Sequence, residues 1–408
     1  MLREMWVLLV VGVSACSAST SSPPSSSPAS SSTSSSGTTA PVPSTTTTTV
    51  AESVLNLDPS ITPVEQLDPQ DVCKIPDITR ESEIWGSGFP LSPLAGDTTR
   101  DLRVHVVPIA AADSPFTDDD QRRVELAVEQ ATDYFSLQTY GVATLDVTYD
   151  DTVVQFPKTV DEGGWIANKP QFDRRFMVEE ALDLMGERIP TDADVLAFFA
   201  PRDERFDFGV ATSQIFNREG FPDRFILLGG RATSSWAVLA HEILHAWIGS
   251  EDLYPFAAGT ALYMGGWDIM NSGRGDDLEL NGWLRWIGRW INDDQVRCLA
   301  APRESVHFVE GLPFPTRGPK LVVVKLNDNA VMVIDSRRTT KWGIDSWDNN
   351  APAALVYVVD TSIQHGQGPL RLRGTLVDVG DEVTSDGVRV TLQAADATGD
   401  LIRVEPAA

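Results

Sequence analysis

Residues 241–254 read HEILHAWIGSEDLY: two of the chain's five histidines stand four positions apart, with a glutamate beside the first. Upstream, Thr233, Ser234 and Ser235 offer N-cap oxygens. Trp236, Leu239, Ile243, Leu244 and Trp247 then recur at three- and four-residue spacing as far as Gly249, a natural terminator. The pattern predicts a helix over about 235–248. Four residues advance a helix by about 6 Å and one turn. His241 and His245 therefore project from one face, with imidazoles able to converge on one ion, and Glu242 lies within reach of a water on that ion. Zinc hydrolysis uses this combination: neutral imidazoles hold the ion, the ion lowers the pKa of its water toward neutrality, and a carboxylate takes the proton as the water attacks a carbonyl. The alternative is an amphipathic helix carrying two incidental histidines. With histidine so scarce, a chance HExxH has odds on the order of one in a few hundred, and it would also have to fall on a good helix.

The composition is that of a globular protein, 408 residues long and 42% hydrophobic, enough for at least one substantial core. A formal charge of -26, from 58 acidic against 32 basic residues, argues against nucleic acid, because phosphate binding needs a basic face to displace counterions. The same acidity is compatible with Ca2+ held by carboxylates, although no twelve-residue calcium loop of the EF-hand type is present. Nothing in the sequence calls for an oligomer, and a monomer is expected.

The first residues, MLREMWVLLVVGVSAC, place Arg3 ahead of an apolar run that ends in small residues and a cysteine. That layout is a secretory signal, too short for a comfortable membrane span. Val13-Ser14-Ala15-Cys16 resembles a bacterial lipobox, which makes 1–15 a lipoprotein signal and Cys16 the lipidated N-terminus; a plain secretory signal with an incidental Cys16 is the alternative. The expected location is the outer face of a bacterial cell membrane, or the extracellular space. Three cysteines less one lipidated leave Cys73 and Cys298 as a disulfide pair, which an exported chain can keep, or as two buried thiols.

Residues 17–50 are rich in Ser, Thr and Pro with no charge and no aromatic, and cannot bury enough apolar surface to offset ordering entropy. Residues 16–65 read as a disordered tether. From about 66 the sequence becomes globular. A strand at 101–111 (DLRVHVVPIAA) is followed by a helix ending near Gly141, a strand pair in VATLDVTYDDTVVQF, a helix in RRFMVEEALDLMGER, and strands in ADVLAFFAP and RFILLGG. The order suggests an α/β layer, and 66–301 is taken as the catalytic domain. Residues 302–408 change to short apolar runs broken by Gly, Pro and Asp (KLVVVKL, AVMVIDS, AALVYVVDT, GTLVDVG, VRVTLQAA, DLIRVEP). They predict antiparallel β structure, either a small domain or an extension packed on the catalytic unit. The fold class expected is α+β.

Downstream of the histidines, EDLY follows Gly249, and GGWDIMNSG (265–273) sets Met270 in a Gly/Asn/Ser-rich turn. With HExxH, these features resemble the immune inhibitor A-type zinc metallopeptidases, a metzincin-like family whose pattern runs HExxHxxGxxD, then Tyr, then a W-D-x-M turn. LNGWLRWIGRWI (280–291), MVIDSRR (332–338) and LVYVVDT (355–361) look like later landmarks, so the likeness covers about residues 100–365. It implies a metzincin-like catalytic domain with His241 and His245 as zinc ligands, Glu242 as general base and Met270 beneath the metal. One departure stands out. The family has two residues between the second histidine and the glycine, whereas Ala246, Trp247 and Ile248 make three here. Alignment on Gly249 makes Asp252 the third ligand, the preferred choice because the glycine bend sets where the chain returns. Alignment forward from His245 makes it Glu251.

Tyr254 and Tyr263 are candidates to donate to an oxyanion, or simply pack; Asp268 is a candidate to hydrogen-bond a ligand. His365 sits on a Gly-rich loop that could reach the cleft, Trp267 belongs to the core, and His105 and His307 are structural. The function expected is a membrane-anchored zinc endopeptidase acting on protein or peptide substrates. The same residues would serve hydrolysis of another amide or ester. The competing reading, prompted by the extra residue, is a catalytically inactive surface lipoprotein with a relic protease fold acting as a binding or scaffold protein.

Overall fold

The alternating, β-branched run at 101–111 forms strand β1 (Leu102–Ala110) in the computed structural model of the chain. The structure describes residues 54–58, 60–78, 86–166, 174–206, 209–213, 222, 224–254, 263–272, 279–338 and 352–407. The expected signal, Cys16 and the tether as far as residue 53 lie outside them. Among the described residues no helix is long and apolar enough to cross a membrane.

Helix α1 (Asp118–Gln138) starts at a reciprocal cap: Thr117 Oγ1 accepts the Asp120 N–H, and the Asp120 carboxylate accepts the Thr117 N–H. Strands β2 (Leu145–Tyr149) and β3 (Val154–Gln155), short helix α2 (Val160–Gly163), α3 (Arg174–Met185), β4 (Val195–Phe199), β5 (Gly209–Ser213) and β6 (Arg224–Leu228) follow. Together the strands make a sheet in the order β2-β1-β4-β6-β5, with β3 also on β1; all pairings are parallel except β5 with β6. The expected strand pair is corrected here. β2 and β3 do not face each other but run along the same edge of β1, β2 beside Leu102–Val106 and β3 beside Ile109–Ala110. Asp150 interrupts what is otherwise one strand: its carboxylate accepts the Thr152 N–H and is gripped by Arg188. β5 carries no clear alternation and was not legible in the sequence.

Helices α4 (Trp236–Ile248), α5 (Ile269–Ser272) and α6 (Gly282–Ile287) lead into strands β7 (Val296–Leu299), β8 (Ser305–Glu310), β9 (Leu321–Lys325), β10 (Ala330–Arg337), β11 (Ala353–Asp360), β12 (Leu370–Leu376), β13 (Glu382–Ser385), β14 (Val388–Ala395) and β15 (Gly399–Pro406). They build a second sheet, β12-β11-β10-β9-β7, and a third, β13-β14-β15-β8. The run GTLVDVG is strand only as far as Leu376, because the Asp381 carboxylate turns the chain by accepting the Val377 and Asp378 N–H groups.

Strand alternation sends each apolar run to two cores. Val104, Val106, Ala197 and Ile226 join α1, α4 and α6 in a core that continues to Val331, Val333, Leu355 and Tyr357 of the second sheet. Val107, Ile109, Leu196 and Phe198, on the other face, pack with α3. Met332 and Ile334 of β10 meet Val388, Val390 and Ile402 of the third sheet. The β-rich region is thus an extension packed on the helical layer, and α4 lies in that middle layer. No break in the core falls at residue 302; Ser53–Ala408 is one compact unit.

A buried charge network crosses the same layer. Glu279 pairs with Arg285 at 3.0 Å and with Arg337 at 3.1 Å, and Arg337 pairs with Asp335 at 2.8 Å. Tyr357 donates to Asp335 at 3.1 Å, and Arg337 also reaches the Trp267 carbonyl. All four charged side chains are buried, so each cation is matched where it would otherwise be costly.

Residues 54–65, expected as the end of the tether, are docked instead: the Thr62 N–H donates to the Val306 carbonyl at 2.8 Å and the Val306 N–H to Thr62 Oγ1 at 2.9 Å. Lacking periodicity of its own, this segment satisfies its backbone against β8. The strap then continues through Asp68, paired with Arg303 at 2.7 Å, to the Cys73–Cys298 disulfide. The bridge closes a separation of 225 residues. Cys73→Ser is expected to lower unfolding stability by about 2–5 kcal/mol, measured by denaturant titration under non-reducing conditions; a loss below the error of the titration would show that the strap is held without it.

His307 in β8 is buried and bonded to Ser305 Oγ at 2.9 Å. Burial, aided by Arg297 and Arg303, pushes its pKa down from 6.5 to about 3. Between these values the unfolded chain binds the extra proton, so this contribution to stability is complete above pH 6.5 and is lost as pH falls toward 3. The stability lost between pH 7 and pH 5 should be about 2 kcal/mol smaller in His307→Gln than in the parent chain. Equal losses in the two proteins would contradict a neutral buried His307.

Candidate metal centre

Helix α4 is apolar on nearly every side, and all its residues except Val238 are buried. Ser235 caps its start by accepting the Val238 N–H at 3.3 Å, and Gly249 ends it in the left-handed region, φ 65°. His241, Glu242 and His245 are the polar side chains on this buried helix, 5%, 7% and 8% exposed, so their polar atoms need partners within the protein.

The histidine partners are backbone carbonyls. His241 Nδ1 lies 2.9 Å from the Ile269 carbonyl, and His245 Nδ1 lies 2.6 Å from the Ser250 carbonyl. A carbonyl only accepts, so both rings carry a proton on Nδ1 and turn Nε2 inward. Both Nε2 atoms meet Asp252 Oδ1, at 3.0 Å from His241 and 3.1 Å from His245, and they are 3.1 Å from each other. The rings stand at 87°, so the Nε2 atoms point to a common position rather than past it.

Two Nε2 atoms and a carboxylate oxygen at such distances repel unless a proton or a metal cation lies between them. Burial disfavours a charged His241, yet the hydrogen bond and charge of Asp252, with the charge of Glu242, raise its pKa to about 9. Burial also opposes the Asp252 charge, but His245 and His241 hold its carboxyl well below the usual range. The donor set suits zinc: donors at about 2.0–2.1 Å from one tetrahedral ion stand roughly 3.3 Å apart, close to the observed triangle. Among the described residues this is the one convergent group of His, Cys, Asp or Glu side chains, so the Ca2+ compatibility of the composition finds no carboxylate cluster there.

Of the two carboxylates left open by the sequence, Asp252 is the one brought to the histidines. Helix α4 runs through Ile248; the chain then reverses at Gly249, anchors His245 through Ser250 and returns with Asp252. Glu251 faces away, accepting Ser87 Oγ at 2.5 Å and His365 Nδ1 at 3.0 Å. His365 therefore reaches the edge of the site through Glu251.

The Met270 turn acts through its backbone. While Ile269 holds His241, the Met270 carbonyl accepts the Leu253 N–H at 2.8 Å, next to Asp252. Met270 itself is fully buried. Asp268, expected to bond a ligand, does not: its oxygens take the Met270 N–H at 2.8 Å and the Asn281 N–H and Nδ2 at 2.7 Å each, because the turn's backbone carbonyl already occupies His241 Nδ1. Burial raises the Asp268 pKa against the pull of these bonds. Tyr254 stacks on His241, ring centroids 6.3 Å apart and 18° from parallel. Tyr263 packs under Arg371, 5.3 Å from its ring, at the start of β12. Trp267 is in the core, and His105 bonds Thr148 of β2 at 2.8 Å. Ile269, Ser250 and Leu253 act through main-chain atoms, for which the sequence carries no side-chain signal.

Neither a protein-family model nor a curated protein matches the chain.

Gly249→Ala places a Cβ at a left-handed position and should cost about 1–2 kcal/mol of stability. Since Asp252 returns on the same turn, zinc affinity should fall with it. Unfolding titration and zinc competition together check this; unchanged affinity would mean that the turn does not position Asp252.

Proposed function

We propose that the protein is a zinc-dependent endopeptidase of the metzincin-like, immune inhibitor A-type family, anchored outside the membrane through a lipid on Cys16. The observation that carries this is the donor triangle of His241, His245 and Asp252, with both Nδ1 protons fixed by carbonyls. His241 Nε2, His245 Nε2 and Asp252 Oδ1 would hold the zinc. When bound, the metal supplies Lewis acidity, lowering the pKa of water and polarising a scissile carbonyl.

Glu242 follows His241 on the same helix, and its carboxylate is the group suited to take the proton from the attacking water and pass it to the leaving amine. Tyr254, held parallel to the His241 ring, limits how the substrate can approach. Strand β5 favours a peptide over other amides or esters. It is the edge strand in the sheet order, runs antiparallel to β6 and lies alongside α4. An extended peptide can pair with such an edge and present its carbonyl at the helix. The layout of one sheet with a single antiparallel edge strand, followed by the histidine helix and the Met270 turn, supports the family reading.

The test is metal content and peptide hydrolysis in the full chain. About one zinc per chain is expected from the triangle; it should be lost in His245→Ala, while Glu242→Gln keeps the metal and loses hydrolysis by about 10³-fold or more. A parent chain that takes up no zinc after dialysis against it would leave the inactive scaffold reading, and hydrolysis undiminished in Glu242→Gln would end the proposed mechanism.

A further inference from the structure

Next to Asp252 lies a carboxylate that the proposed chemistry does not use. Glu251 is 4% exposed, and both its oxygens are engaged by segments far away in the chain. Oε1 accepts from Ser87 Oγ at 2.5 Å, on the N-terminal strap; Oε2 accepts from His365 Nδ1 at 3.0 Å and from the Gly366 N–H at 3.3 Å, on the loop between β11 and β12. The two segments are also tied to each other, since Thr361 Oγ1 donates to the Pro76 carbonyl at 2.7 Å. The strap is fixed beside the turn as well: the Gly86 N–H donates to the Gly249 carbonyl at 3.1 Å, and Trp283 Nε1 to the Ser87 carbonyl at 2.7 Å.

A solvated glutamate on a short turn would order nothing. This one closes a ring of strap, turn and loop around residues 249–252, the stretch that carries Asp252 back to the histidines. Within the turn itself the closest anchors are His245 on the Ser250 carbonyl and Leu253 on the Met270 carbonyl, beside two longer bonds of 3.4 Å from the Ser250 N–H to the Leu244 carbonyl and from Ser250 Oγ to the Glu251 carbonyl. Without outside anchors, Gly249 and the residue added after His245 would leave the Asp252 backbone free to swing.

We infer that Glu251 is a positioning residue: by binding Ser87 on one side and His365 with Gly366 on the other, it fixes the turn so that Asp252 completes the donor triangle. The strap and the β-rich extension are then parts of the metal site, although neither supplies a ligand. The metal half of this inference rests on the proposed function; the ordering of the turn does not.

The experiment uses the full chain and the variants Ser87→Ala, His365→Asn, Glu251→Ala and Glu251→Gln. Three quantities are read: amide exchange of residues 250–254 in metal-free protein, the zinc dissociation constant by chelator competition, and the visible spectrum of the Co2+-loaded protein. Ser87→Ala, His365→Asn and Glu251→Ala should speed exchange at 250–254 by about tenfold or more while α1 and the sheets exchange as before. Zinc should bind about 10–100-fold more weakly, with an altered Co2+ spectrum. Glu251→Gln, which keeps the size and one acceptor oxygen, should recover part of the loss seen in Glu251→Ala.

Unchanged exchange and affinity in the single variants would overturn the inference. So would exchange that speeds up uniformly with a matching drop in the unfolding midpoint, since Glu251 would then be an ordinary packing residue. Faster exchange confined to 250–254 in these variants, with a parent chain that binds neither Zn2+ nor Co2+, would uphold the positioning of the turn and overturn the zinc reading instead.

Discussion

Each histidine of α4 has one nitrogen that must be satisfied inside the protein and one that must be kept for something else, and the fold resolves this by giving Nδ1 to a main-chain carbonyl in both cases. Much of the neighbouring architecture follows from supplying those two carbonyls. One comes from the turn at 269–270 and the other from the reversal at Gly249, and the two are joined by the bond from the Leu253 N–H to the Met270 carbonyl. Helix, reversal and turn therefore fix one another. Displacing any one of them removes a hydrogen bond from a buried imidazole, which costs far more than the same loss at the surface.

The turn at 269–270 has to be held in its turn, and the buried charges do this. Asp268 holds Met270 and Asn281, Glu279 holds Arg285 and Arg337, and Arg337 reaches back to the Trp267 carbonyl. Such a network stabilises less than an apolar core of equal volume would, since the desolvation of four charges offsets most of their attraction. What it provides is registry: Arg337 cannot pair with Asp335 and Glu279 together unless β10 lies at one height relative to the turn. The second sheet is thereby locked to the helix layer at the point where the site is built.

The HExxH helix was legible in the sequence to within a residue at its start, because caps, apolar spacing and Gly249 all agree. Cys73–Cys298 was legible from counting, and the β-rich character of 302–408 from strand alternation. What could not be read shares a physical cause. The tautomers depend on backbone carbonyls, which every residue possesses; the roles of Glu251 and Asp268 depend on partners brought from Ser87, His365 and Asn281, which no local pattern announces. The preference for Asp252 over Glu251 was readable from the Gly249 reversal alone, which sets the carboxylate that returns to the histidines. β2 and β3 read as a strand pair because a hydrophilic break between two apolar runs has the same local signature whether the chain turns back or continues along one edge.

The strap has a temporal consequence. Thr62, Asp68, Cys73, Pro76 and Ser87 meet partners at Val306, Arg303, Cys298, Thr361 and Glu251, all made much later in synthesis. The first segment of the globular unit to be made is thus among the last that can find its place. Contacts so distant in sequence close slowly, because chain entropy must be lost before any contact rewards it. Until Cys298, Arg303 and Val306 have been made, the leading end of this unit lacks the partners that hold it in the folded chain.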